Sequence, residues 1–184
     1  KAMLVTFFAT QNFYINVVLT VDVGFELVKA LVSGSVDAII GAYWTHESIV
    51  MELQGYEIEI IRLEEWGVPD YYELILITNK SFLEENKSDV EKVVNSFKKG
   101  YEFSIINPQE SITSLISIAG EEIVEEDVER AGVELLIPMW QSNNLPFGHQ
   151  DISKWEETYE WMYQNNFLEK ELIIENLFID EFSN

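Results

Sequence analysis

Apolar residues follow two rhythms along this chain. Up to residue 78, short runs rich in β-branched residues alternate with amphipathic stretches. Residues 16–23 (NVVLTVDV) predict a buried strand. Gly24 then opens FELVKALVSG, whose Phe25, Leu27, Val28, Leu31 and Val32 make the apolar face of a helix, with Gly34 as its C-terminal stop. Residues 36–42 (VDAIIGA) form a continuous apolar run of strand length, completing a βαβ pattern. A second helix is expected from Thr45 as N-cap, with Glu47 in its first turn, through Ile49, Val50 and Leu53 to Gly55. Residues 57–63 (EIEIIRL) alternate with period two, as a further strand would.

The segment 64–73 (EEWGVPDYYE) interrupts this rhythm with Gly67 and Pro69 before residues 74–78 resume as a strand, which marks 67–73 as an interlobe crossover. Beyond it the pattern is helical. Helices are predicted at 81–85, 88–106, 108–119, 125–136 and 153–164. Ser88 with Glu91 has the form of a capping box, and Pro108 after Asn107 suits a first helical turn. Residues 141–150 (QSNNLPFGHQ) read as a polar loop, and 168–182 as a short helix with an aromatic tail. Short apolar strands separated by helices predict an α/β fold with parallel-type sheets flanked by helices, in which ligands bind beyond the C-terminal ends of the strands.

Composition narrows the partners. The chain has 184 residues and 47% hydrophobic content, enough for a sizeable core. Its 33 acidic against 11 basic residues give a net charge of −22, which repels nucleic acid and anionic membrane surfaces. There is no cysteine, so this stretch has no disulfide, thiolate nucleophile or thiolate metal site. No apolar run reaches membrane-spanning length, so no direct membrane insertion is expected, and an export signal is expected upstream of Lys1.

The densest chemical cluster is Tyr43, Trp44, Thr45, His46 and Glu47, where a predicted strand meets a predicted helix at the mouth of a cleft. An aromatic ring stacks on a planar heterocycle, and a carboxylate accepts hydrogen bonds from an exocyclic amino group or pairs with a protonated ring nitrogen. The same residues admit a plain structural reading, with the aromatics in the core and the glutamate complementing a helix dipole. A second cluster, Trp66, Asp70, Tyr71, Tyr72 and Glu73, lies at the crossover, where hinge packing and ligand contact are both open. The late aromatics Trp155, Tyr159, Trp161 and Tyr163 recur near helical spacing and read as core, not as a ligand box. His46 and His149 stand far apart without metal-ligand spacing, and no nucleotide-binding or catalytic motif occurs, so neither a cofactor nor an enzymatic role is expected.

Three segments carry a family resemblance: VGFELVKALVSGSVDAIIGAYWTHE, EEWGVPDYYELILITN and GHQDISKWEETYEWM. In order and spacing they resemble the pyrimidine-precursor-binding family, typified by bacterial formylaminopyrimidine-binding proteins of thiamine salvage and related fungal hydroxymethylpyrimidine phosphate synthases. The resemblance implies a type II periplasmic-binding-protein-like fold of two lobes closing over a pyrimidine. On this sequence 1–66 would belong to the second lobe and 74–184 would return into the first, whose N-terminal part is expected to be missing. The matching ligand positions are Tyr43 and Glu47, followed by Trp44, Trp66 and Tyr71. An extracytoplasmic location, in the periplasm or as a surface lipoprotein, and an ABC transporter permease as partner are implied too.

Two alternatives stay open. The same fold could carry riboflavin, an alkanesulfonate or another small nutrient, although Arg62 and Arg130 are few arginines for a sulfonate site. A pyrimidine-phosphate-forming enzyme or a sensor domain would reuse the fold, but the synthases use a cysteine-rich motif that is absent here.

Overall fold

The computed structural model describes residues 2–120, 124–141, 145 and 147–182. Its regular elements are α1 (Ala2–Thr10), α2 (Leu27–Val32), α3 (Glu47–Leu53), α4 (Lys80–Ile106), α5 (Pro108–Ala119), α6 (Glu126–Trp140) and α7 (Ile152–Gln164), with 3-10 turns at Ile15–Val17, Leu63–Trp66 and Ile174–Asn176.

Strands are absent among the described residues, which corrects the expected sheet at 16–23, 36–42, 57–63 and 74–78. A strand exists only through the hydrogen bonds it exchanges with a neighbour, and these segments have the β-branched composition without a ladder to join. Leu19, Leu74 and Ile77 are accordingly 88%, 82% and 87% exposed.

From residue 81 onward the helices fall near the predicted spans, whereas α1 lies outside any predicted helix and Ser88, expected as a cap, lies within α4. Residues 81–85 and 88–106 run on as α4, broken at Asn86, whose φ of −129° and ψ of 31° leave the helical region. The Asn86 side-chain amide donates to the Phe82 carbonyl at 3.1 Å, so the break keeps an acceptor occupied. Asn79 starts the element by accepting from the Ser81 backbone N–H at 2.9 Å. α5 begins on Pro108, as the missing N–H of proline allows. α6 passes the expected end at Leu136 and includes Pro138 in its final turn, and the Gln141 N–H reaches the Ile137 carbonyl at 3.1 Å. At 168–182 only the turn Ile174–Asn176 is helical. The loop at 141–150 lies partly outside the described residues.

The chain divides into two compact units. One comprises Leu19–Ile61 and Lys99–Leu145. There α6 packs on α5 and α3, and α3 on α2. Its core contains Ala30, Ile49, Met51, Ile112, Val124 and Val128, with Ile112 and Val128 only 2% and 1% exposed. Gly132 lets α6 touch the turn before α3. A Cβ there would stand 2.6 Å from the Thr45 carbonyl oxygen and 3.8 Å from Ile49 Cδ1.

The other unit comprises Lys1–Val18, Arg62–Lys98 and Pro146–Asn184. Here α1 packs on the Leu63–Trp66 turn and α7 on the Ile174–Asn176 turn. Phe7 meets Trp66 edge to face at 5.7 Å, and the Trp161 indole N–H donates to Thr6 Oγ1 at 3.1 Å. The rings expected in the core pack on one another without being buried: Trp155 stacks on Phe178 at 5.4 Å and Tyr159 on Tyr163 at 6.0 Å, while Tyr163 stays 49% exposed. Asp151 caps α7 by accepting from the Ser153 backbone N–H and hydroxyl, both at 2.9 Å.

Two tests follow. Alanine raises helix propensity by about 1 kcal/mol over glycine, yet Gly132→Ala should destabilise the protein by about 1–3 kcal/mol in denaturant unfolding, because the methyl meets backbone. The hydrogen bonds from Ser153 hold the Asp151 carboxyl below its ordinary 3.8. Its capping contribution is therefore complete above the unfolded value and disappears as pH falls through the lowered one. Thermal unfolding of Asp151→Asn, which caps without titrating, should lack that acid-side loss, seen by comparison with wild type between pH 5 and about pH 2.

Candidate functional site

The cluster around Glu47 is built by a tight turn entering α3. The His46 N–H reaches the Tyr43 carbonyl at 3.0 Å, and the residue at the cap is His46, with φ −141° and ψ −74° and no side-chain cap bond. The expected N-cap, Thr45, is thereby corrected: its carbonyl is committed to the close approach at Gly132. Glu47, the first residue of α3, bonds back to the turn that precedes the helix. Its Oε2 accepts from the Tyr43 backbone N–H at 2.7 Å, closing the turn from the C-terminal side. Ser48, which is buried, donates its hydroxyl to the Trp44 carbonyl and fixes the other wall of the turn.

This arrangement brings Tyr43, Trp44 and Glu47 together in one unit. Tyr43 is 44% exposed, Trp44 is half-buried, and the Glu47 side chain retains 22% of its surface. His46 Nδ1 stands 3.9 Å from Glu47 Oε2, too far for a hydrogen bond. Glu47 also lines a cleft of about 350 Å³ together with Phe25, Glu26, Lys29, Val32 and Gln54. Tyr43 and Trp44 are not in its lining. Sequence reading singled out the Glu47 side of this cleft and missed Phe25; the available signal was a large aromatic immediately after the Gly24 turn.

Trp66 and Tyr71 belong to the other unit. Trp66 closes the Leu63–Trp66 turn against Phe7, followed by Gly67 at φ 88°. Tyr71 is 36% exposed. Its neighbour Tyr72 is structurally committed: the Tyr72 hydroxyl accepts from the Asp151 backbone N–H at 2.8 Å, and its ring lies 5.2 Å from Lys154 Nζ. Lys154 in turn pairs with Asp70 at 2.6 Å. The crossover segment is thus tied to the start of α7.

Among the described residues no group of three or more histidine or carboxylate side chains could hold a metal ion, and no helix is long and apolar enough to cross a membrane. His149 pairs with Asp180 at 2.9 Å.

A family model described as NMT1/THI5 like matches residues 1–111, a stretch holding all five candidate residues. The chain belongs to the NMT1/THI5-like family. That family is periplasmic-binding-protein-like. This NMT1/THI5-like chain is 35% identical over 160 residues to the formylaminopyrimidine-binding protein of Halalkalibacterium halodurans, covering 85% of this chain and 48% of that protein. It is 26% identical over 168 residues to a protein of Haemophilus influenzae named for thiamine biosynthesis, covering 87% of this chain and 49% of that one. The chain therefore spans about half the length of the relatives it matches.

The buried Ser48 hydroxyl is one of the bonds that hold this turn. Ser48→Ala removes its bond to the Trp44 carbonyl, so it should cost about 1 kcal/mol in unfolding free energy and change tryptophan emission, read by fluorescence-monitored denaturation.

Proposed function

We propose that this chain is part of a solute-binding protein of an ABC importer that takes up a thiamine-precursor pyrimidine of the formylaminopyrimidine or hydroxymethylpyrimidine type. The observation that carries the reading is the half-buried Glu47 carboxylate, held by the Tyr43 backbone in the wall of a cleft, within a chain 35% identical to a formylaminopyrimidine-binding protein. Oε2 is held in place by the Tyr43 N–H, so the carboxylate is pre-oriented for an amino group on the ring. Partial burial strengthens such a charge-assisted bond by excluding competing water.

In this reading the protein binds and delivers without catalysis and uses no cofactor. Tyr43 supplies an exposed ring beside the acid, Trp44 supports the turn from within, Trp66 stands directly before the crossover, and Tyr71 lies in the crossover at 67–73 that joins the lobes. Residues 1–66 contribute to the second lobe and 74–184 to the return into the first. The partner is the importer's permease, and the location is extracytoplasmic.

Glutamine keeps the size of Glu47 and can still accept from the Tyr43 N–H while losing the charge. Calorimetric titration with formylaminopyrimidine should show wild-type binding, with Glu47→Gln weakened by about 1.5–3 kcal/mol. An unchanged dissociation constant would remove Glu47 from the site, and no wild-type heat at all would remove the ligand.

A further inference from the structure

Glu47 holds its orientation through the Tyr43 backbone N–H at 2.7 Å, so a displacement of residues 43–46 displaces the carboxylate. The His46 N–H closes this turn on the Tyr43 carbonyl at 3.0 Å, and two groups outside it clamp the carbonyls in between. On one side stands Gly132 of α6, buried, whose Cβ position lies 2.6 Å from the Thr45 carbonyl oxygen. On the other, the Ser48 hydroxyl donates to the Trp44 carbonyl. Among the described residues Ser48 is the buried polar one, at 6% exposure.

The glycine at 132 has no conformational reason to be there. It lies in the interior of α6 without a positive φ, where alanine would favour the helix. Gly100, inside α4, shows the contrast: a Cβ there would meet nothing within 4 Å. At 132 a methyl would meet the Thr45 carbonyl at a distance that Cβ atoms do not adopt, so the turn or the helix would have to shift. The obstacle is backbone on both sides, which cannot swing away as the end of a flexible side chain can. Gly132 and Ser48 thus fix two successive carbonyls, and Glu47 follows two residues after the second.

We infer that Gly132 and Ser48 are positioning residues for ligand recognition: neither touches the ligand, and both set affinity through the orientation of the Glu47 carboxylate. The inference rests on the role given to Glu47 under Proposed function and deepens it. A carboxylate has acceptor capacity beyond the single bond from the Tyr43 N–H, and that capacity serves a ligand only while the group points the right way. Charge-assisted hydrogen bonds weaken steeply with misalignment, and a rigid ring cannot follow a carboxylate that has moved with its turn. Residue 132, which is 85 positions from Glu47 and in a different helix, therefore governs how well the acid is aimed.

The test is calorimetric titration of the full chain with formylaminopyrimidine, using wild type, Gly132→Ala, Ser48→Ala, Glu47→Gln and the two double variants that carry Glu47→Gln. Ile112→Val is the control, since Ile112 of α5 is buried at 2% exposure and lies outside the turn. Gly132→Ala should bind roughly tenfold more weakly and Ser48→Ala about threefold. Ile112→Val should lower the melting temperature yet stay within about twofold of the wild-type constant. In the Glu47→Gln background each second substitution should cost no more than about twofold, because the charge it would misdirect is gone. If Gly132→Ala does not fold, the cycle is read on Ser48→Ala, which acts on the same turn. Losses that recur in full beside Glu47→Gln, an equal loss in Ile112→Val, or unchanged constants in the folded single variants overturn the positioning role and leave the pyrimidine reading standing. Absence of binding to wild type overturns both.

Discussion

The approach of α6 to the Thr45 carbonyl governs the Leu19–Ile61 and Lys99–Leu145 unit. Only glycine at position 132 lets the helix backbone come this near, since a Cβ would stand 2.6 Å from that oxygen. The contact fixes the turn in front of α3 against a helix whose other buried residue, Val128, is 1% exposed. With Thr45 pinned, the next residues have little freedom. His46 takes the cap position, Glu47 reaches back to the Tyr43 N–H, and Ser48 turns its hydroxyl inward to the Trp44 carbonyl. The orientation of the carboxylate thus derives from a packing constraint in a different helix.

The remaining unit relies on a different economy of interactions. Its buried hydrophobic residues among those described are Ala2 and Val68, and it links half-buried aromatic rings to polar partners. Trp155 stacks on Phe178 while its indole N–H donates to Gln150 Oε1 at 3.0 Å. The Gln150 N–H in turn donates to Asp180 Oδ1 at 2.9 Å, and Tyr72 accepts from Asp151. Trp155 and Tyr72 therefore each contribute apolar area and hold one directional bond, which fixes orientation where simple burial would not.

The missing sheet has a concrete physical origin. Residues 74–78 carry the composition of a central strand, but their backbone groups have no ladder to enter, and Leu74 and Ile77 stay 82% and 87% exposed. The NMT1/THI5-like relatives are about twice as long as the stretch matched here. Strand formation is a property of pairs of segments, so composition alone signals the propensity without supplying the partner.

Helices were legible because their information is local. The starts of α5 at Pro108 and α7 at Asp151, and the interruption between the two predicted segments of α4, follow from periodicity, proline and capping chemistry within a few residues. The proximity of Tyr43 and Glu47 at an element junction was legible too, and the structure joins them by the Tyr43 N–H to Glu47 Oε2 bond. Tertiary structure alone decided that His46 and not Thr45 caps α3, that Gly132 shapes the turn, and that Phe25 shares a cleft with Glu47. Residues 25, 47 and 132 are far apart in sequence, and no local pattern encodes a distance between them; only the packing of one helix on another brings them into one unit.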